Sequence, residues 1–226
     1  MQTIPGFPGT LKRLRKLRPS VLYRFLSLEL MRTLPRRTEI GLVFAGALAG
    51  VAAGLCVTAM TFIALGMHAA IFGLQPGERL SGAPVEDRIL LLAAPVAGGI
   101  LLGILLFLLA RWRKRPLVDP IEANALHGGR MSLTDSLIVA VQNLVSNGFG
   151  ASVGLEAGYT QVAAGLASKF GHKLKLRRQD MRILVGCGAA GAIAAAFNAP
   201  LTGAFYAFEL IIGAYTIVAL TPVVAA

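Results

Sequence analysis

Long uncharged apolar runs, separated by short charged segments, dominate the chain after position 39. Residues 40–77 contain no Asp, Glu, Lys or Arg, and residues 89–110 form a second uncharged run. A transmembrane helix needs about 20 predominantly apolar residues. The first run therefore predicts a long tilted helix, or a helix followed by a membrane-buried turn. The second run predicts a single span.

The next two apolar runs, residues 133–149 and 152–168, are each short for a full span. They meet in a glycine-rich segment, residues 147–158, which contains Glu156 in otherwise uncharged surroundings. Irregular backbone at membrane depth is tolerated where it lines a cavity. We therefore predict broken or re-entrant helices that meet at this segment, as in transporters with midplane sites. The alternative is tight helix packing, with Glu156 as a buried structural partner.

The last two apolar runs are residues 183–197 and 201–221, separated by an Asn-Ala-Pro turn at 198–200. They predict one outward helix, close-packed through its glycines and alanines, and one returning helix. Glu209 is the single charged residue after position 182. Because a carboxylate is costly in lipid, we expect Glu209 to face protein or a wet cavity, in a structural or a conducting role.

Composition and charge placement both indicate an all-α, polytopic membrane protein. The chain is 55% hydrophobic and only 15% charged, whereas soluble domains carry about 25% charged residues. Most of the Lys and Arg residues that produce the net charge of +11 lie in three clusters beside apolar runs, at 12–37, 111–115 and 169–182. This is the positive-inside pattern and places the N-terminus in the cytoplasm, in a plasma or inner membrane. Nucleic-acid binding is excluded because it needs one continuous basic surface.

The charge pattern divides the chain into two parts. Residues 1–39 form a basic segment in which apolar residues recur at near-helical spacing. This indicates an amphipathic helix on the cytoplasmic lipid surface. Docking onto another chain and an organelle transit peptide are the alternatives. Residues 40–226 form the membrane domain.

The segment around Glu156 has the features of an anion site. The residues after Glu156 can restart a helix, whose free N–H groups and positive dipole end would then point into the glycine-rich break. Such a helix end binds anions. Glu156 would itself be the resident anion when no other anion is present.

Enzymatic, metal and cofactor chemistry find no support in the sequence. The two cysteines and three histidines are scattered singly, and none has the spacing of a metal site. The sequence also contains no recognisable pair of nucleophile and base. We therefore expect no enzyme activity, no metal and no cofactor.

Two segments resemble motifs of the CLC family of chloride channels and chloride/proton antiporters. The sequence GLEAGYTQ at 154–161 is similar to the family's G-K/R-E-G-P segment and the Gln that follows it. The sequence GAAGAIAAAFNAPLTG at 188–203 is similar to G-A-A-A-G-x-A-A-A-F-N-A-P-L-A-G. The second motif is long and specific. The resemblance covers roughly residues 40–226, which corresponds to about the first half of a CLC transport domain.

The resemblance implies a homodimer in which each subunit carries its own anion pathway, built from two inverted halves. It implies chloride or a similar small anion as the transported species. Glu156 takes the position of the gating glutamate, which competes with chloride for the site. The backbone amides that would face the ion belong to Gly154, Leu155, Ala157 and Gly158. Tyr159 and Gln161 are expected to have a pathway or structural role.

Three departures from the family pattern bear on function. Leu155 stands where the family has Arg or Lys, which removes a nearby cation. Residues 116–120 read PLVDP, without the serine that ligates chloride in the family. Glu209 is followed by Leu210, where antiporters have a second glutamate that relays protons. The missing serine removes the expected hydroxyl ligand and bears on selectivity, whereas Leu210 favours a chloride channel or uncoupled carrier over an antiporter. The alternatives are a chloride/proton antiporter, with Glu209 as the relay, and a membrane scaffold that transports nothing.

Overall fold

The structure is a computed structural model, and it describes residues 39–75, 78, 80–82, 88–113 and 115–226. Apart from Glu39, the basic segment predicted for residues 1–39 lies outside these residues. The described part of the chain is all helical, as predicted, and contains no strand. Its helices are α1 (Glu39–Phe72), α2 (Arg88–Trp112), α3 (Pro120–Leu126), α4 (Leu133–Gly148), α5 (Glu156–Lys173), α6 (Arg178–Phe197), α7 (Pro200–Tyr206) and α8 (Ile217–Ala225).

Three of these helices are long and apolar enough to cross a membrane, namely residues Ile40–Phe72, Arg88–Trp112 and Arg178–Phe197. The first apolar run forms one helix of 34 residues. At 1.5 Å per residue this helix is about 50 Å long, which exceeds the hydrocarbon core of a bilayer. The long helix predicted as one alternative for this run is therefore confirmed, and tilting is one way in which a bilayer accommodates a helix of this length.

Helix α6 lies at the centre of the bundle and packs closely against α5 and α1. Leu184, Val185 and Cys187 of α6 are fully buried. A Cβ atom at Gly188 would come within 2.7 Å of the backbone carbonyl of Ala163 in α5. The prediction that α6 uses small residues for close packing is confirmed, because no side chain fits between these two backbones.

The end of the chain does not form the single returning helix that was predicted for residues 201–221. Helix α7 continues into a π-helical turn, Ala207–Ile212, which stops at Gly213 in the left-handed conformation (φ 71°). The chain restarts as α8, where the Thr216 side chain accepts a hydrogen bond from the Ala219 N–H at 3.3 Å. A left-handed glycine followed by a threonine N-cap ends one helix and begins another. The predicted turn before α7 is confirmed, with Asn198 at φ 51°.

Helix α2 lies at the edge of the described bundle. Large apolar side chains along it are exposed, such as Leu92 at 75% and Phe107 at 67%. Two contacts attach it to the bundle: Gly98 packs against the Phe149 ring directly after α4, and Arg113, directly after α2, forms an ion pair with Asp135 of α4. An exposed apolar helix of this length is suited to a lipid environment.

Candidate functional site

The predicted break between two short helices is confirmed. Helix α4 ends at Gly148, and residues 149–155, which we call the break, have irregular backbone. Gly150 takes a positive φ of 89° there, a conformation that a glycine adopts without steric cost. Helix α5 begins at Glu156, four residues later than the apolar run suggested, and extends to Lys173.

The N-terminus of α5 has no side-chain cap. The N-cap residue is Leu155, whose side chain cannot accept a hydrogen bond, and no cap hydrogen bond forms. The N–H groups of the first helical turn therefore have no intrahelical partner. Within the described part of the chain, the N–H groups of Gly154 and Leu155 also lack a hydrogen bond. This helix end keeps its positive partial charge directed into the break.

The Glu156 carboxylate folds back over this helix end. A Cβ atom at Gly154 would overlap both the carboxylate carbon and its oxygens. Gly154 thus provides the space that the carboxylate occupies. None of the described residues forms an ion pair with Glu156. The negative charge lies beside the N-terminus of its own helix, where the helix dipole is positive.

A cavity of about 560 Å³ lies beside the break. Its lining includes Glu156 and Tyr159 of α5, together with Thr61 and His68 of α1. The Tyr159 and Thr61 hydroxyl groups share a hydrogen bond of 2.9 Å. The His68 Nε2 atom lies 2.9 Å from the Asn147 carbonyl oxygen. The structure therefore brings Tyr159 to the same cavity as Glu156.

Gln161 lies outside the lining of this cavity. Its side chain is buried, and its Nε2 donates a hydrogen bond of 2.8 Å to the Val118 carbonyl. This bond attaches α5 to the segment before α3, away from the cavity lining.

On the described chain, Glu209 does not line the cavity beside the break. It lies in the π-helical turn and is exposed on the described chain. Its Oε1 accepts a hydrogen bond of 2.9 Å from the Tyr215 hydroxyl. The following residue, Leu210, is also exposed, at 49%. The left-handed turn at Gly213 brings Tyr215 beside Glu209.

Segment 116–120, where the family has a serine, leads into α3. Here Asp119 is the N-cap, and its Oδ1 accepts a hydrogen bond of 2.7 Å from the Glu122 N–H. The N-terminus of α3 is therefore already satisfied by a fixed carboxylate. The N-terminus of α5 differs from it, because its carboxylate is on a side chain of the first turn and makes no cap bond.

The sequence pattern assigned no role to Asn143 or Asn147 of α4, although Asn147 is the first residue of the predicted glycine-rich segment. Their side-chain amides donate to the carbonyls of Gly154 and Val153, at 3.1 and 2.9 Å. The one signal in the sequence is the spacing of four residues, which places both amides on the same helix face. The described residues contain no group of three or more potential metal ligands.

The sequence profile of the voltage-gated chloride channel family matches residues 98–226, which is over half of the chain and includes Glu156. This chain belongs to the voltage-gated chloride channel (CLC) family. The resemblance found in its two motifs is confirmed.

Curated relatives agree with this family. The chain is 38% identical over 136 residues to a ClcB-like chloride channel protein of Ralstonia nicotianae, covering 58% of this chain and 32% of the relative. It is 28% identical over 165 residues to the voltage-gated ClC-type chloride channel ClcB of Yersinia pseudotuberculosis, covering 72% of this chain and 40% of the relative. The chain thus spans well under half the length of these relatives. No solved structure matches it.

Proposed function

We propose that this chain forms part of the anion pathway of a CLC-type chloride channel, gated by Glu156. Membership of the family and the chloride channel names of its relatives support chloride as the transported ion. The observation that carries the gate is the Glu156 carboxylate, folded over Gly154 at the uncapped N-terminus of α5. The proposed activity is transport, without enzymatic chemistry.

In the proposed mechanism, chloride exchanges its water for backbone N–H groups at the start of α5. The relevant donors are the N–H groups of Gly154, Leu155, Ala157 and Gly158, reinforced by the positive end of the helix dipole, about half an elementary charge. A helix N-terminus binds a small anion without a bound cation nearby.

Glu156 competes with chloride for these donors. When ionised and folded back, its carboxylate occupies the space beside Gly154 and excludes a second negative charge. When it is protonated or rotates away, the donors become available to chloride. Lower pH therefore favours the open state in this mechanism.

We favour a channel over a chloride/proton antiporter. A proton relay needs a second titratable group connected to the pathway. Leu210 cannot carry a proton, and Glu209 is exposed and paired with Tyr215, away from the cavity that contains Glu156. These features support passive anion movement.

We further infer a homodimer in a plasma or inner membrane, with the N-terminus in the cytoplasm. The apolar exposed surface of α2 supports contact with lipid. The basic clusters at 12–37, 111–115 and 169–182 support the orientation, because positive loops remain on the cytoplasmic side.

The test is transport by the intact gene product reconstituted in liposomes, with chloride efflux and proton movement recorded together. We expect chloride efflux without proton movement against its gradient. Uphill proton movement driven by a chloride gradient would replace the channel with the antiporter. No chloride flux from a folded, reconstituted protein would favour the scaffold.

A further inference from the structure

We propose that Asn143 and Asn147 are positioning residues, which orient the peptide groups of the break so that their N–H groups face the anion. This inference rests on the proposed function of the break as an anion site. It gives two polar side chains of α4 a role in transport.

The two asparagines bind successive carbonyl groups. They are four residues apart on α4 and therefore lie on one face of the helix. Asn143 Nδ2 donates to the Gly154 carbonyl at 3.1 Å, and Asn147 Nδ2 donates to the Val153 carbonyl at 2.9 Å. Each amide acts on the chain immediately before Glu156, where no regular secondary structure fixes the backbone.

Holding a carbonyl also fixes the N–H group of the next residue. The described chain has no cis peptide bond. In a planar trans peptide the carbonyl oxygen and the amide hydrogen point in opposite directions. Because the Val153 and Gly154 carbonyls point toward α4, the N–H groups of Gly154 and Leu155 point away from it. These are two of the N–H groups that have no hydrogen-bond partner in the described chain.

The contact between α4 and the start of α5 depends on Gly158. A Cβ atom at Gly158 would come within 2.8 Å of Asn143 Oδ1 and 2.9 Å of the Met60 methyl group. Asn143 therefore lies directly against α5. Its Oδ1 atom is buried and has no hydrogen-bond partner. Its role is that of a donor, and the unsatisfied oxygen carries a free-energy cost that the donated bond offsets only in part.

A side chain of α1 contacts the C-terminal end of α4. The His68 ring is 2.9 Å from the Asn147 carbonyl oxygen, so the backbone at the end of α4 contacts a side chain of the cavity. This contact holds the backbone of Asn147, whose side-chain amide bonds the Val153 carbonyl. Without the two amide donors, nothing else in the described chain bonds the Val153 or Gly154 carbonyls. These peptide groups could then rotate and turn their oxygens toward the anion.

The experiment compares Asn143→Leu and Asn147→Leu, which keep the approximate side-chain size and remove the donor. Gln142→Leu is the matched control. It removes an amide from the same helix, and the Gln142 Nε2 atom is buried without any hydrogen-bond partner. All variants are made in the intact protein, reconstituted in liposomes, and chloride efflux is measured against chloride concentration.

We expect the chloride concentration that gives half-maximal flux to rise about fivefold in each asparagine variant, as for one lost hydrogen bond. The maximal flux should change much less, because the pathway itself is intact. Gln142→Leu should leave both quantities unchanged. A purely structural role would instead reduce the amount of folded protein without changing the half-maximal concentration.

Three outcomes would be distinguished. Absence of flux in the unmodified protein would refute the proposed function. Normal flux in the unmodified protein, with unchanged half-maximal concentration in both asparagine variants, would refute this inference alone. If a leucine variant does not fold, Asn143→Ser and Asn147→Ser decide the question, because serine stays polar but is too short to reach the break. The same fivefold rise is expected of them, and an unchanged value would again refute the inference.

Discussion

The carboxylate of Glu156 lies where a side chain at position 154 would begin, so that Gly154 and Glu156 share one space at the N-terminus of α5. Only the missing Cβ atom of Gly154 permits this position. The carboxylate therefore lies beside the N-terminus of its own helix. The proposed gate depends on this local relationship between two residues, and it leads to the first prediction.

Gly154→Ala should move the carboxylate and open the site. Gly154 does not have a positive φ, so alanine can keep the backbone conformation. Its methyl group would displace the Glu156 carboxylate from the space beside residue 154. We expect chloride efflux at neutral pH to increase about fivefold, which corresponds to destabilising the closed position of the carboxylate by about 1 kcal/mol. Gly103→Ala on α2 is the control, because a Cβ atom there meets nothing within 4 Å. Equal efflux in the two variants would contradict the shared space.

Glu209→Gln should leave transport unchanged. Glu209 is exposed, accepts a hydrogen bond from Tyr215 and does not line the cavity. We expect chloride efflux, its pH dependence and the absence of coupled proton movement to match the unmodified protein. Tyr215→Phe removes the same hydrogen bond without removing a carboxylate and serves as the comparison. If Glu209→Gln alters proton movement while Tyr215→Phe does not, Glu209 belongs to a proton pathway and the channel assignment is wrong.

The hydrogen bond between Tyr159 and Thr61 should join α5 to α1 at the cavity. Its two hydroxyl groups are 2.9 Å apart and partly buried. In a double-mutant cycle with Tyr159→Phe and Thr61→Val, we expect a coupling of about 1 kcal/mol in the free energy of unfolding. The measurement is reversible unfolding in detergent micelles. Additive effects of the two substitutions would show that the hydroxyl groups do not interact.

Gly188→Ala should destabilise the bundle where α6 meets α5. The added methyl group would lie 2.7 Å from the Ala163 carbonyl oxygen and 2.9 Å from the Ala167 Cβ atom, and the backbone of α5 cannot easily move. Overpacking of this kind costs about 1–3 kcal/mol. Gly103→Ala, in open space, should be neutral or slightly stabilising, because alanine favours helix. Equal thermal stability of the two variants would show that the contact relaxes without cost.

The helical membrane fold and the break before Glu156 could be predicted because both depend on local properties of the sequence. An uncharged run of sufficient length predicts a span, and two runs that are too short predict a break between them. The wrong prediction of a single helix over residues 201–221 also came from relying on local hydrophobicity. Hydrophobicity continues through Gly213 and Thr216, so the left-handed glycine and the threonine cap were not recognised as a helix end and a helix start.

The carboxylate at the site was predictable, but the groups around it were not. Glu156 is conspicuous because no other charge lies near it in the sequence. Asn143 and Asn147 are uncharged polar residues on one helix face, and nothing local indicates that their amides bond the carbonyls of the break. Their role depends on the approach of α4 to α5 through Gly158. Likewise, Thr61 meets Tyr159 across 98 positions of sequence. Such contacts are products of tertiary packing.

The pH dependence of chloride efflux in Glu156→Gln tests the central claim most directly. The intact protein and this variant are reconstituted in liposomes, and the efflux rate is recorded from acidic to alkaline pH. Glutamine keeps the size of the side chain but cannot ionise. In the unmodified protein, efflux should increase as pH falls and the carboxylate becomes protonated. In the variant, efflux should be high and independent of pH. A variant with the same pH dependence as the unmodified protein would show that Glu156 is not the gate.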